Sequence, residues 1–306
     1  MPPILPVTPP NSRLWRVIHF PLVLLAIGVA LLFGAGALIQ PAANALPAKP
    51  GTIAACAVAL LVAVGFAAAY AVFVRFVERR PRVAEFAVPG AGRELLGGIA
   101  LGFLLFSAAI GLIALLGGYR ILGTNPPAAM LAALAVSIFS GVVAEIALRG
   151  LFFRILESWL GSWIALALSA ALFGALHLAN PNATAFAAIA IALEAGVMLA
   201  AVYMLTRRLW AAIGLHAMWN FTQGGIYGIA ISGFSAPGLI RPAVSGPAWL
   251  TGGAFGAEAS VPALLVCLAF GVALLRLAVR RGRIVAPAWR RRAAVQSAEL
   301  GAGEQE

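Results

Sequence analysis

Along this chain stretches of about 20 apolar residues alternate with short interruptions rich in arginine, glycine or proline, and the pattern recurs almost to the end. Eight such runs can be marked, roughly 17–39, 53–76, 95–118, 128–153, 160–178, 183–206, 209–232 and 259–280. A helix rises about 1.5 Å per residue, so each run is long enough to cross about 30 Å of hydrocarbon. Inside lipid the backbone must satisfy its own hydrogen bonds, which selects helices over open sheets. The pattern therefore predicts an all-α polytopic membrane protein of about eight transmembrane helices.

The interruptions give the orientation. With a cytoplasmic N-terminus, all but three of the 21 basic residues fall on the inner side, and only Lys49, Arg120 and Arg241 fall outside. That asymmetry predicts an N-in, C-in arrangement. Segment 1–16 is then a cytoplasmic N-terminus, 17–118 holds three helices, 128–232 a core of four, 259–280 the last helix, and 281–306 a basic and then polar cytoplasmic tail. The connector from Gly233 to Glu258 carries Gly, Pro, Ser and Trp without helical period and reads as a loop. Ala43-Asn44-Ala45 looks like a signal-peptide cleavage site, but the apolar core before it, about 22 residues, exceeds the 7–15 of a signal, so the first run reads as a retained span.

Composition agrees with this picture. Apolar residues make up 62% of the 306 positions, charged residues 10%, and mean hydropathy is +0.99. The net charge of +11 is spread in clusters between apolar runs, so it marks topology and no nucleic-acid partner. Cys56 and Cys267 each lie inside an apolar run, which excludes a disulfide framework. All ten acidic residues are glutamates, so carboxylate chemistry has few candidates.

Polar side chains at membrane depth are costly and become functional candidates by default. They are Glu145, Arg149, His177, Glu194, His216 and Asn220, with His19 near the first interface. Glu145 and Arg149, four apart, share a helix face and can pair, which alone suits a structural ion pair. His216 and Asn220 also share a face, and alone would suit an interhelical clamp. Glu194 alone suits a neutral, hydrogen-bonded glutamate. Together, however, three helices bring a carboxylate, an imidazole, and an imidazole with an amide, the groups that activate water and hold an oxyanion.

These residues resemble the CPBP or Abi family, which includes the type 2 CAAX prenyl proteases and bacteriocin-immunity proteins. Its motifs are a double glutamate separated by three residues from an arginine, then Phe-x-x-x-His, then His-x-x-x-Asn or Asp. Phe173 and His177 match the second, His216 and Asn220 the third, and Arg149-Gly150-Leu-Phe-Phe-Arg154 also looks like the family. With Arg149 as the motif arginine, Glu145 is the second glutamate and the first is replaced by Ala144. The resemblance implies an endopeptidase in which the first glutamate and His177 activate water and His216 and Asn220 hold the oxyanion, with Arg149 and Phe173 in support; Glu194 joins the supporting candidates on its own position in the sixth run.

Ala144 cannot take a proton, which leaves three readings. Glu145 serves as base, Glu194 supplies the carboxylate from another helix, or hydrolysis is lost and the protein binds a partner as an immunity protein would. A small transporter using the same cavity is a further alternative. The resemblance implies a metal-free mechanism without cofactor. Two histidines and a glutamate are also zinc ligand types, so zinc stays open, although no His-Glu-x-x-His spacing occurs. The expected partners are the lipid bilayer and a peptide or protein substrate, cleaved near the cytoplasmic side, and the expected location is a bacterial inner membrane. Counted from the inner ends of the runs, His216 lies about 10 Å deep, Glu145 about 12 Å and His177 about 26 Å, so His177 joins the others only if its helix tilts, breaks or starts deeper.

Overall fold

The computed structural model describes residues 13–46 and 48–291; the extreme N-terminus and the tail from residue 292, with its polar stretch Gln296–Glu306, lie outside the described residues. A short helix α1 (Arg13–Ile18) precedes α2 (Pro21–Ala45), α3 (Ile53–Val72), α4 (Ala91–Leu115) and strand β1 (Tyr119–Thr124). Then come α5 (Met130–Glu145), α6 (Arg154–Leu160), α7 (Ser162–Leu176), α8 (Ala185–Ile191), α9 (Val197–Thr206) and α10 (Trp210–Asn220). Strand β2 (Ile240–Val244), the short α11 (Ala248–Thr251) and α12 (Val261–Arg280) complete the described chain. Thr52, Thr184 and Ser260 start α3, α8 and α12 by accepting the backbone N–H of the residue three positions on, the usual role of a hydroxyl at a helix N-cap.

The fold is all-α apart from one ribbon, and among the described residues seven helices are long and apolar enough to cross a membrane. They span Pro21–Ala45, Ile53–Val77, Ala91–Leu115, Pro127–Leu160, Ser162–Ala179, Ala185–Thr206 and Val261–Arg280. Two differences from the sequence reading have physical causes. The fourth helix does not stop near 153, because α5 continues through π turns at Ile146–Phe153 into α6. The charges that ended the apolar run are paired. Arg154 Nη2 lies 2.9 Å from the Glu78 carboxylate, and Arg207 pairs with Glu157. The seventh run, expected over 209–232, is helical only from Trp210 to Ile226 and is then turned by Gly228 at φ +65°.

Packing depends on small residues. Helices α4 and α10 run side by side so closely that a Cβ at Gly98 would lie 2.2 Å from Ala211 O, and one at Gly214 would lie 2.4 Å from Leu95 O. A Cβ at Gly141 on α5 would similarly meet Ala217 at 2.7 Å. Helix α10 is thus held against both α4 and α5, which fixes its polar face. At the other end of the bundle the unforeseen ribbon forms: β1 pairs antiparallel with β2, Tyr119 opposite Val244 and Thr124 opposite Ile240, with an irregularity between Ile121 and Gly123.

Candidate functional site

Glu145 is the last residue of α5 before the π turns, and Arg149 sits within them, both fully buried. Arg149 Nη1 donates to Glu145 Oε1 at 2.9 Å, the pair expected from their spacing. Nη2 donates to the carbonyl oxygens of Ala195 and Gly196, each at 3.1 Å. Those carbonyls come from a second π segment, Ala192–Gly196, between α8 and α9. Wide π turns displace backbone groups from the regular ladder and recur at functional sites. The guanidinium also stacks 4.8 Å above the centre of the Phe173 ring. A buried charge without such partners would be strongly unfavourable, and these contacts explain how lipid depth tolerates it.

The same Glu145 oxygen, Oε1, lies 2.9 Å from His216 Nδ1 on α10. A carboxylate flanked by an arginine is an acceptor, so Nδ1 carries the hydrogen and donates, leaving the lone pair on Nε2. His177 follows the same logic. Its Nδ1 lies 2.7 Å from Phe173 O, which can only accept, and again Nε2 is left with the lone pair. The Phe173 ring stands between the two imidazoles, 4.9 Å from the His177 ring and 5.8 Å from that of His216. One turn beyond His216, Asn220 Nδ2 donates to Ser140 Oγ at 3.0 Å, which leaves its second N–H uncommitted in that bond.

Glu145 and His216 come level because Arg154, nine residues after Glu145, and Leu209, seven before His216, both meet Glu85: Arg154 Nε lies 3.6 Å from its carboxylate and Leu209 N donates to its carbonyl oxygen. His177 reaches them from the far end of α7, with the Phe173 ring between the two imidazoles.

Residues 126–222 match the family described as type II CAAX prenyl endopeptidase, Rce1-like. A CAAX protease/Abi (CPBP) family domain thus matches this segment. The match runs from just before α5 to just past Asn220, and so includes Glu145, Arg149, Phe173, His177, His216 and Asn220. No curated protein and no solved structure matches the chain. Among the described residues no group of three or more His, Cys, Asp or Glu side chains is disposed to hold a metal ion.

Within the matched segment, Glu145, Arg149, Phe173, His177, His216 and Asn220 gather around one centre. Glu194 does not join them by any hydrogen bond; its electrostatic neighbours are Glu258 and Cys267. Ala144 packs at the edge of an apolar cluster of Leu148, Phe173, Ala187, Ile191, Phe255 and Ala259. Sequence reasoning missed Ser140, Phe255 and Glu258. Ser140 had a detectable signal, a hydroxyl on the same helix as Glu145. Phe255 and Glu258 had none, because they belong to a connector with no period that folds back onto the bundle, where Gly233 N donates to Phe255 O.

Proposed function

We propose that this chain is an intramembrane endopeptidase of the CAAX-protease type, whose base is His216 coupled to Glu145. The observation that carries this reading is the buried chain Arg149–Glu145–His216, with 2.9 Å at each link. Arg149 holds Glu145 in place as an acceptor, and Glu145 orients the His216 ring. His216 Nε2 takes a proton from water, the resulting hydroxide attacks a peptide carbonyl, and the same nitrogen returns the proton to the leaving amine. The free N–H of Asn220 stabilises the oxyanion, and His177 Nε2, across Phe173, orients the substrate. No carboxylate at position 144 is needed in this scheme. The substrate is a peptide or protein tail presented at the membrane.

The same reading carries eight crossings, N-in and C-in, in a bacterial inner membrane, with the core at 128–232 preceded by three helices and followed by one. A second reading has one observation in its favour. Ala144 lies against the apolar cluster of Phe173 and Phe255, so the place of the family's first glutamate is closed by hydrocarbon, as suits a silent member that binds a partner.

Peptide cleavage by the purified protein in liposomes separates the two. On the first reading the wild type cleaves, His216→Ala and Glu145→Gln each lower the rate by about 100-fold or more, and Glu194→Gln leaves it unchanged. Cleavage that begins only with Ala144→Glu would establish the second.

A further inference from the structure

We propose that a lateral groove between the start of α7 and the end of α12 is a binding site for one anionic phospholipid, its acyl chain in the groove and its phosphate on Arg276 and Arg280. The groove encloses about 380 Å³ and is lined by Trp163, Val272, Leu275, Arg276, Val279 and Arg280. That volume lies within the range of about 300–1,000 Å³ common for small-molecule sites.

The two helices meet the same membrane edge there. Ser162 N donates to Val285 O at 3.0 Å, and Val285 N donates to Ser162 Oγ at 2.8 Å, so the beginning of α7 is tied to the chain just after α12. Beside this tie the groove keeps an apolar wall of Val272, Leu275 and Val279, of which Val272 and Leu275 are half-buried against the bundle and Val279 is exposed. An unfilled apolar groove in lipid takes a chain of the solvent around it.

Charge selects which lipid. Arg276 and Arg280 are four residues apart on one face, both exposed, and among the described residues no carboxylate pairs with either. Arg276 lies about 6 Å deeper than Arg280, so its guanidinium reaches up along the helix toward the same phosphate. Trp163, half exposed on the facing helix, is placed at the headgroup level where indole rings anchor. Basic pockets between membrane helices bind acidic headgroups by this combination of buried chain and paired cations. Phosphatidylcholine, whose choline cancels its phosphate, lacks the net charge that the two arginines match.

The full-length protein in detergent is titrated with dioleoylphosphatidylglycerol and with dioleoylphosphatidylcholine, and lipid retention is read by native mass spectrometry. Phosphatidylglycerol is expected to be retained in preference to phosphatidylcholine. Arg276→Gln with Arg280→Gln is expected to weaken that retention on the order of tenfold or more. Val272→Phe, which fills the groove and keeps both arginines, is expected to weaken it too, whereas Arg290→Gln with Arg291→Gln leaves it intact. Equal retention of the two lipids, or an equal loss in the 290/291 control, would overturn the site in favour of diffuse surface charge.

Discussion

Glu258, in the 3-10 turn just before α12, is buried on the connector side of the bundle and faces a second buried carboxyl, Glu194. Burial pushes its carboxyl from the ordinary 4.5 up to about 7, against the opposing pull of Ser232, Gln223 and Trp219, which hydrogen-bond to it. The folded chain then binds a proton that the unfolded chain has already lost between pH 4.5 and about 7. Folding stability attributable to Glu258 is therefore greatest below the unfolded value and falls as pH rises through about 7, by about 3 kcal/mol in total. Chemical unfolding of wild type and Glu258→Gln compared across this window tests the sign: the variant gains on the wild type as pH rises. Arg149 poses the opposite case, a cation whose removal strands an anion. Arg149→Met leaves Glu145 buried with only His216 beside it and is expected to cost about 3–5 kcal/mol, while Glu145→Gln with Arg149→Met recovers most of the loss. Thermal melts of the two variants distinguish a paired charge from a merely packed one.

Between elements, the contact that positions the chemistry is the crossing of α4, α5 and α10 on their glycines. Gly98→Val places new atoms against Ala211 O, where a Cβ alone stands at 2.2 Å, and must push α10 aside. It is expected to destabilise by about 1–3 kcal/mol and to move His216 away from Glu145. Gly97→Val, next in sequence with nothing within 4 Å of its Cβ position, is expected to be tolerated, and paired melts with an activity assay check both. The crossing also marks what was legible in the sequence. Apolar runs and their caps could be read directly, as could the spacings that put Glu145 with Arg149 and His216 with Asn220, because helical periodicity is local. The end of the fourth helix was misread because Arg154 and Glu157 look like solvent residues until Glu78 and Arg207 pair with them. The π turns that supply the Ala195 and Gly196 carbonyls leave no compositional mark, and the β1–β2 ribbon joins segments more than 100 residues apart.

On the proposed topology the short seventh run also crosses the membrane, and its contacts with α4 support this. Helix α4, 25 residues long and apolar beyond Arg93 and Glu94, is long and apolar enough to cross. At its start, Arg208, just before α10, pairs with Glu94 at 3.2 Å, and Leu209 N donates to Glu85 O. At its far end, Tyr119 donates its hydroxyl to Tyr227 O at 2.9 Å, and β1, directly after α4, pairs with β2, which follows α10. Residues 94 and 208 thus lie at one edge while 119 and 227 lie at the other, so α10 travels as far as α4 although only Trp210–Ile226 is helical, about 25 Å at 1.5 Å per residue. On the proposed count of eight crossings both ends of the bundle share one side, and on the proposed orientation the arginine distribution puts that side inward. In spheroplasts of a strain expressing a variant with Cys56 and Cys267 replaced by alanine, a membrane-impermeant maleimide is expected to label Arg120→Cys and Arg241→Cys from outside and Arg75→Cys and Arg281→Cys only after lysis. Labelling of Arg241→Cys and Arg281→Cys from the same side would mean that α12 is not a crossing, and labelling of Arg120→Cys and Arg241→Cys from opposite sides would break the ribbon on which α10's passage rests.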